Sequence, residues 1–291
     1  RRFESASRYQ KLTLLIMNNL SIYCLTLNPD HLDLIKKINY IPVGLGERNF
    51  SNEWMRDIAG KNISKKNSSY GEYTFHYWMW KNNLERINTE WIGFCQYRKF
   101  WIKDNVDKKI NNILDLDNIL LKEIPEKFQE YESIIGEPLF VNKFKFKKFI
   151  KRNFKKMILS PSLFFNKKKR NLKFHFDFWH GDGNLDKAIK LLELTDRSDF
   201  TNFMNNNTSF NPHNMFICKT KKILKEYYEN IFPWLEKCEY EFRTHDLKGY
   251  GMQRIYGFLA ERYMSYWFQK YTKYKTMPIY FKDISDFKRR Y

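Results

Sequence analysis

The chain has 291 residues, with 52 Lys and Arg against 33 Asp and Glu, a formal net charge of +19, 43% hydrophobic residues and 18% aromatic ones. That length gives one large domain or two modest ones room for a real core, and with only 11 Gly and 8 Pro a disordered, collagen-like or linker-dominated chain is excluded. Four cysteines (Cys24, Cys95, Cys218, Cys238) stand far apart without a CxxC pair, which argues against a disulfide scaffold or a cysteine-rich zinc site and for a reducing compartment.

Residues 1–20 read as a tail or linker from a longer protein, and 21–291 as one domain. The apolar run 12–27 is broken by Asn18, Asn19 and Ser21, short of the roughly 18–20 clean residues of a spanning helix. No signal-peptide pattern is visible, so a cytoplasmic protein is expected. SIYCLTL (21–27) predicts a buried strand, NPDHLDLIKKI (28–38) a helix, and YIPVGLG (40–46) a short strand ending in glycines. Residues 51–66 read as a polar loop. Ser69-Tyr70-Gly71-Glu72 has the letters of a capping box. It opens a helix that places Tyr73, Tyr77, Trp80, Leu84 and Ile87 on one buried stripe.

WIGFC (91–95) is a central strand that ends in the polar cluster Gln96-Tyr97-Arg98-Lys99, and YESIIGEPLF (131–140) is another, with Glu137 beyond its apolar run. Between 138 and 176 stand thirteen Lys and Arg and no acid, interleaved with Phe144, Phe146, Phe149, Phe154, Phe164 and Phe165. Such a basic insertion suits an anionic bilayer. It also suits a nucleic-acid backbone, or is a solvated loop whose rings pack on the domain. Farther on, 185–194 reads as a helix, HNMFICK (213–219) as a strand, 223–238 as a helix around Pro233, 251–271 as a long helix and MPIYF (277–281) as a last strand. Strands that alternate with helices predict an α/β sandwich with a mostly parallel sheet.

In open α/β sheets, ligands bind beyond the carboxyl ends of the strands. That rule points to residues 96–99, to Glu137 and to the loop DIAGKNISKKN (57–67). Arg98 and Lys99 either hold a diphosphate or form an ordinary surface pair. WHGDGNLD (179–186) brings His180, Asp182 and Asp186 together between glycines. It supplies a general base or part of a metal site, or is simply a capped turn. Asp115-Leu116-Asp117 spells a DxD but falls at a helix start, where acids suit the dipole. No DxD follows WIGFC, so no metal ligand is assigned and dependence on Mn²⁺ or Mg²⁺ stays open. On the last helix Arg254, Gly257, Phe258 and Glu261 share one side, with Gly257 permitting a close approach, unless the charges are an ordinary ion-paired face. Glu72 has its task in the capping box.

Taken together, YIPVGLG, DIAGKNISKKNSSYGEYTFHYWMWKN, WIGFCQYRKFW, HNMFICK with the downstream FPWL, and GFLAERYMSYW resemble the bacterial capsular-polysaccharide glycosyltransferases, a family long catalogued only as a domain of unknown function. The resemblance covers about 21–268. It implies a GT-A-like Rossmann-type sandwich that moves a hexose or furanose from a nucleotide donor, UDP-linked on this ground alone, to a growing surface polysaccharide or lipid-linked glycan. Polar-loop positions of the family fall on Asn62, Ser64 and Asn67. Its first helix motif falls on Glu72, Thr74, Trp80, Lys81 and Asn82, and its strand-end motif on Tyr97 and Arg98. His213 and Asn214 match the start of the NMF strand, and Arg254, Glu261 and Arg262 the last helix. Where the family has His before Tyr-Arg, this chain has Gln96, which hydrogen-bonds but accepts no proton.

Sugar transfer needs positive charge for the leaving diphosphate, a proton acceptor and a nucleobase slot. Arg98, Lys99 and Arg254 are expected to meet the first need, and Asp182, His180 or Glu137 the second. The 62–67 loop with Tyr70 or Tyr73 would meet the third. The nucleotide and diphosphate site then comprises Asn62, Ser64, Asn67, Tyr73, Thr74, Lys81, Gln96, Tyr97, Arg98 and Arg254. His213, Asn214 and Glu261 would face the sugar or acceptor. Expected partners are the nucleotide sugar, the glycan acceptor and the inner face of the cytoplasmic membrane, not nucleic acid. The alternative is a non-catalytic basic module that binds nucleic acid or an anionic surface. A glycoside hydrolase would need two facing carboxylates, and the sequence offers no obvious pair.

Overall fold

The computed structural model describes residues 19–143, 166, 169–242 and 249–290. Aromatic and β-branched residues buried on both faces mark the middle of a sheet. In β1 (Leu20–Thr26) every residue but Ser21 is buried. β2 (Ile41–Gly44), β3 (Met55–Arg56), β4 (Trp91–Gln96), β5 (Lys99–Trp101) and β6 (Ser133–Gly136) follow, then the small pair β7 (Leu139–Phe140) and β8 (Ser209–Phe210), and finally β9 (Phe216–Cys218), β10 (Tyr274–Met277) and β11 (Ile279–Phe281). The main sheet has the order β10-β6-β9-β4-β1-β2-β3, with β5 on β4 and β11 on β5. Along that path only β9 runs against its neighbours, so the fold is an α/β sandwich around a mostly parallel sheet. The carboxyl ends of β1, β2, β3, β4 and β6 therefore share one rim, and the residues entering β9 arrive at the same rim.

Alternate side chains point to opposite faces. Tyr23 and Leu25 of β1 enter one core with Phe75, Tyr228, Phe232 and Phe268, from helices Tyr73–Trp78, Lys221–Phe242 and Ile255–Tyr271. Ile22 and Cys24 enter the other, with Ile35 and Leu116 from helices Leu32–Lys37 and Ile113–Ile119. All four cysteines are buried and free.

Three local expectations are corrected. Residues 69–72 form no capping box. A short helix, Asn67–Tyr70, ends at Gly71, whose φ of 58° breaks it before Tyr73–Trp78 begins. Asn67 stitches the break, donating to the Gly71 carbonyl (3.0 Å) and to Thr74 Oγ1 (3.2 Å). The expected helix 251–271 is interrupted at Arg254, between Tyr250–Gln253 and Ile255–Tyr271. MPIYF is two strands, because Pro278 lies between β10 and β11 and cannot donate to a ladder.

Residues 1–18, and 144–165, 167 and 168 at the heart of the basic segment, lie outside the described residues, and the membrane-surface expectation falls on them. Among the described residues no helix is long and apolar enough to cross a membrane.

Candidate functional site

At the rim, β4 turns back into β5 through a hairpin whose tip is Tyr97 and Arg98, with Gln96 opposite Lys99. The Tyr97 N–H is tied to the Leu25 carbonyl at 3.1 Å, which holds the tip beside the end of β1. Here lies a cavity of about 90 Å³, lined by Leu25, Thr26, Leu27 and Leu45 on the strand side and by Asn67, Gly71, Glu72, Gln96, Tyr97, Arg98 and Arg254 around it. A larger cavity of about 570 Å³ lies between Tyr40, Lys103, Asp117 and Lys122. Its two ammonium groups donate to the carbonyls of Asn118 and Ile38, and Lys122 also pairs with Asp117.

Gln96 is the hub of the rim. Its Nε2 donates to the Glu72 carboxylate and to the His213 carbonyl (2.9 Å), and its Oε1 accepts from Lys99 Nζ (2.9 Å). A carboxamide has both donor and acceptor ends, and here it spaces an acid from an ammonium. Burial lowers the Lys99 pKa, opposed by the negative charges of Glu72 and Glu261. Arg254 sits at the helix break with Nη2 3.6 Å from the other Glu72 oxygen. It fits because position 71 is glycine: a Cβ there would stand 2.5 Å from that nitrogen.

Behind the hub, Glu261 accepts the His213 backbone N–H (2.5 Å) and is paired with the buried Arg262 (2.5 Å). The Arg262 guanidinium lies 3.7 Å over the Phe210 ring, and its Nη2 meets His175 Nδ1 at 3.2 Å. These contacts hold His213 (φ 83°) and Asn214 (φ 53°) in consecutive left-handed conformations. Non-glycine residues adopt such conformations uncommonly, Asn and His more often than most. Asn214 contributes by donating to the Gly257 carbonyl (3.3 Å). Burial, then the Lys99 charge, pulls the His213 pKa down to about 4.

Of the residues expected to bind nucleotide, Asn67, Gln96, Tyr97, Arg98 and Arg254 line the cavity together. The others do not line it. Asn62 braces its own loop, accepting from Ser64 N–H and Oγ–H and donating to the Ile58 and Gly60 carbonyls. Tyr73 is a core residue whose hydroxyl meets that of Tyr227 at 2.5 Å. Thr74 is fully buried beneath Asn67. Lys81 lies over the Trp80 ring at 3.1 Å. The WKN motif serves this loop as well, since Asn82 grips both the N–H and the carbonyl of Lys61.

The three residues expected to act as base are placed elsewhere. His180 is buried at the end of the helix Leu172–His180, bonded to the Gly251 carbonyl (2.9 Å) and stacked on Phe258 (4.2 Å). Burial takes its pKa down to about 3, which leaves it a weak base. Asp182 is exposed in the turn between two left-handed glycines, Gly181 and Gly183. Glu137 is exposed on the rim just past β6. The carboxylate that lines the cavity is Glu72, which the capping-box reading had assigned a local task. The signal was Gly71, which breaks the helix and frees the next side chain to turn to the sheet.

Glu72 is engaged by Gln96 and Arg254, and among the described residues no three His, Cys, Asp or Glu side chains converge as metal ligands. The donor set does not fit a preformed Mn²⁺ or Mg²⁺ cage.

No curated protein matches the chain. Its fold is similar to that of the WbbM bifunctional glycosyltransferase in the apo form, with a TM-score of 0.61 and 17% identity over 90% of this chain and 45% of that one. The chain thus spans less than half the length of that protein, and at such identity the likeness is one of fold. The sequence matches a family described as a domain of unknown function over residues 22–273. That span runs from within β1 to the residue before β10 and takes in every residue that lines the cavity, and the chain belongs to this family, DUF4422.

Proposed function

We propose that the chain is a glycosyltransferase that moves a sugar from a nucleoside-diphosphate donor, UDP-linked, to a hydroxyl of a surface polysaccharide or lipid-linked glycan. The observation that carries this reading is the convergence of Arg98, Arg254 and Glu72 on one cavity at the carboxyl ends of β1 and β4, with Lys99 one hydrogen bond behind through Gln96. In the reaction the bond between the anomeric carbon and the diphosphate oxygen breaks, and the acceptor oxygen bonds to that carbon. Guanidinium groups take the charge that develops on the diphosphate, with geometry that matches phosphate bidentately. The acceptor proton passes to the Glu72 carboxylate, which Gln96 orients. Arg254 stands 3.6 Å from Glu72, so turning it toward phosphate exposes the carboxylate for that task. The fold shared with a protein titled a glycosyltransferase supports the same reading. No step is routed through a metal ion, and the basic aromatic segment is assigned to the anionic inner membrane surface.

The test is a thermal-shift panel of nucleoside diphosphates and nucleotide sugars, with manganese and with a chelator. A ligand at a hundred times its Kd stabilises the folded state by about 2.7 kcal/mol, so UDP should raise the Tm by several degrees whether or not chelator is present. A flat response to every diphosphate ends the proposal, and a shift seen only with manganese replaces side-chain charge balance with metal.

A further inference from the structure

Gln96, Lys99 and Phe281 form one row across three strands, because Gln96 is opposite Lys99 in the β4–β5 pair and Lys99 is opposite Phe281 in the β5–β11 pair. Directly opposed residues on antiparallel strands carry their Cβ atoms on the same side, about 4.5–5.5 Å apart. The charged rim therefore continues into an aromatic ring, and that residue is 58% exposed while Phe100 and Trp101 of the paired strand β5 are fully buried in the core. A single exposed phenyl ring is ordinary. This one is distinguished by its company, since the His213 ring lies edge-on to it at 5.1 Å and 78°. His213 is the residue that Glu261, through its backbone N–H, and Gln96, through its carbonyl, hold in a left-handed conformation. The rim thus carries an imposed backbone conformation that brings an imidazole against an exposed ring beside the reacting groups. β6 ends against the same strand: a Cβ on Gly136 would come 2.6 Å from Ile279 Cδ1. The exposed carboxylate of Glu137 accordingly follows at the same edge.

We infer that Phe281 is the platform of the acceptor subsite, and that the group seated on it is a sugar ring, with Glu137 and the His213 imidazole at its hydroxyls. The face of an aromatic ring is electron-rich and attracts the polarised C–H bonds of a sugar, whose hydroxyls remain at the periphery for polar partners. The inference rests on the glycosyltransferase reading and narrows its acceptor to a glycan terminus. A lipid surface is the competing use of an exposed ring in so basic a chain.

The full chain and its Phe281→Ala and Phe281→Trp variants decide it. Binding of methyl glucoside, methyl galactoside and methyl mannoside is followed by saturation-transfer NMR in the presence of UDP. At least one glycoside should bind the wild type, with binding weakened roughly two- to tenfold in Phe281→Ala and restored in Phe281→Trp. The UDP-induced thermal shift should be the same in all three proteins. Absence of glycoside binding to the wild type, or equal binding to Phe281→Ala, overturns the subsite. So does a loss in Phe281→Ala of sedimentation with phosphatidylglycerol vesicles at unchanged glycoside binding, which makes the ring a membrane anchor. Failure of the donor reading is seen separately, as a wild type that UDP does not stabilise.

Discussion

Replacing Gly71 with alanine probes how the helix break builds the cavity. The backbone at position 71 has φ 58° and ψ −131°, a region that costs a side-chain-bearing residue about 1–3 kcal/mol. One kcal/mol is worth roughly 2–4 °C in a chain of this class, so Gly71→Ala should lower the Tm by about 2–12 °C. The new methyl group would also stand 2.5 Å from Arg254 Nη2. That nitrogen ends a flexible side chain, so the guanidinium swings aside and the clash is relieved at the expense of the site. Losing one charge-assisted hydrogen bond to phosphate is worth about 1.5–3 kcal/mol, or roughly ten- to hundredfold in UDP affinity. Calorimetric titration with UDP and thermal melts of Gly71→Ala, Arg254→Ala and the double variant separate the two effects. The double variant should bind UDP no worse than Arg254→Ala alone, yet remain as destabilised as Gly71→Ala. Wild-type UDP affinity in Gly71→Ala would refute the claim that this glycine seats Arg254, and an unchanged melting temperature would refute the backbone argument.

Arg98 is exposed at a hairpin tip, so Arg98→Ala should abolish sugar transfer and leave the far-UV spectrum and melting curve near wild type, while retained turnover removes it from the site. Tyr73→Phe deletes one half of the buried hydroxyl pair with Tyr227. It should cost about 1 kcal/mol in urea melts with UDP affinity intact, and a loss of affinity would put Tyr73 in the nucleobase slot. Burial lowers the pKa of His76 and His180 to about 3, of His175 to about 2 and of His213 to about 4, all from 6.5. Below pH 6.5 the unfolded chain takes up protons that the folded chain refuses. The stabilisation is therefore complete above about pH 6.5 and is lost as the pH falls, down to about 4 for His213, about 3 for His76 and His180 and about 2 for His175, at up to about 1.4 kcal/mol per pH unit for each ring. Urea midpoints that match at pH 5 and pH 7 would contradict this.

The sheet was legible because its strands are local. SIYCLTL and WIGFC are short apolar runs with β-branched and aromatic residues, the composition of buried strands; they are β1 and β4, paired in parallel. The strand-end rule then picked out residues 96–99, of which the hairpin turns Gln96, Tyr97 and Arg98 into the cavity wall and sets Lys99 behind Gln96. At residues 69–72 the pattern and the structure part. Letters three apart satisfied a capping box, whereas the φ of Gly71 and the Asn67 side chain decided otherwise. Likewise Asn62, Lys81 and Asn82 stand in a specific motif, but the motif's work is to brace a loop that approaches the rim without lining it.

Short-range pattern thus determined the α/β class, the buried strands and the strand end where cations gather, since each depends on residues within one element. Which acid faces those cations was settled only by the chain's return. Glu72, Gln96, His213 and the pair Arg254 and Glu261 come from four separate stretches, and their hydrogen bonds form only when the sheet order sets β1, β4 and the entry to β9 side by side. The reach of a side chain is a few ångströms, and no spacing along a sequence encodes a distance between elements that folding alone brings together.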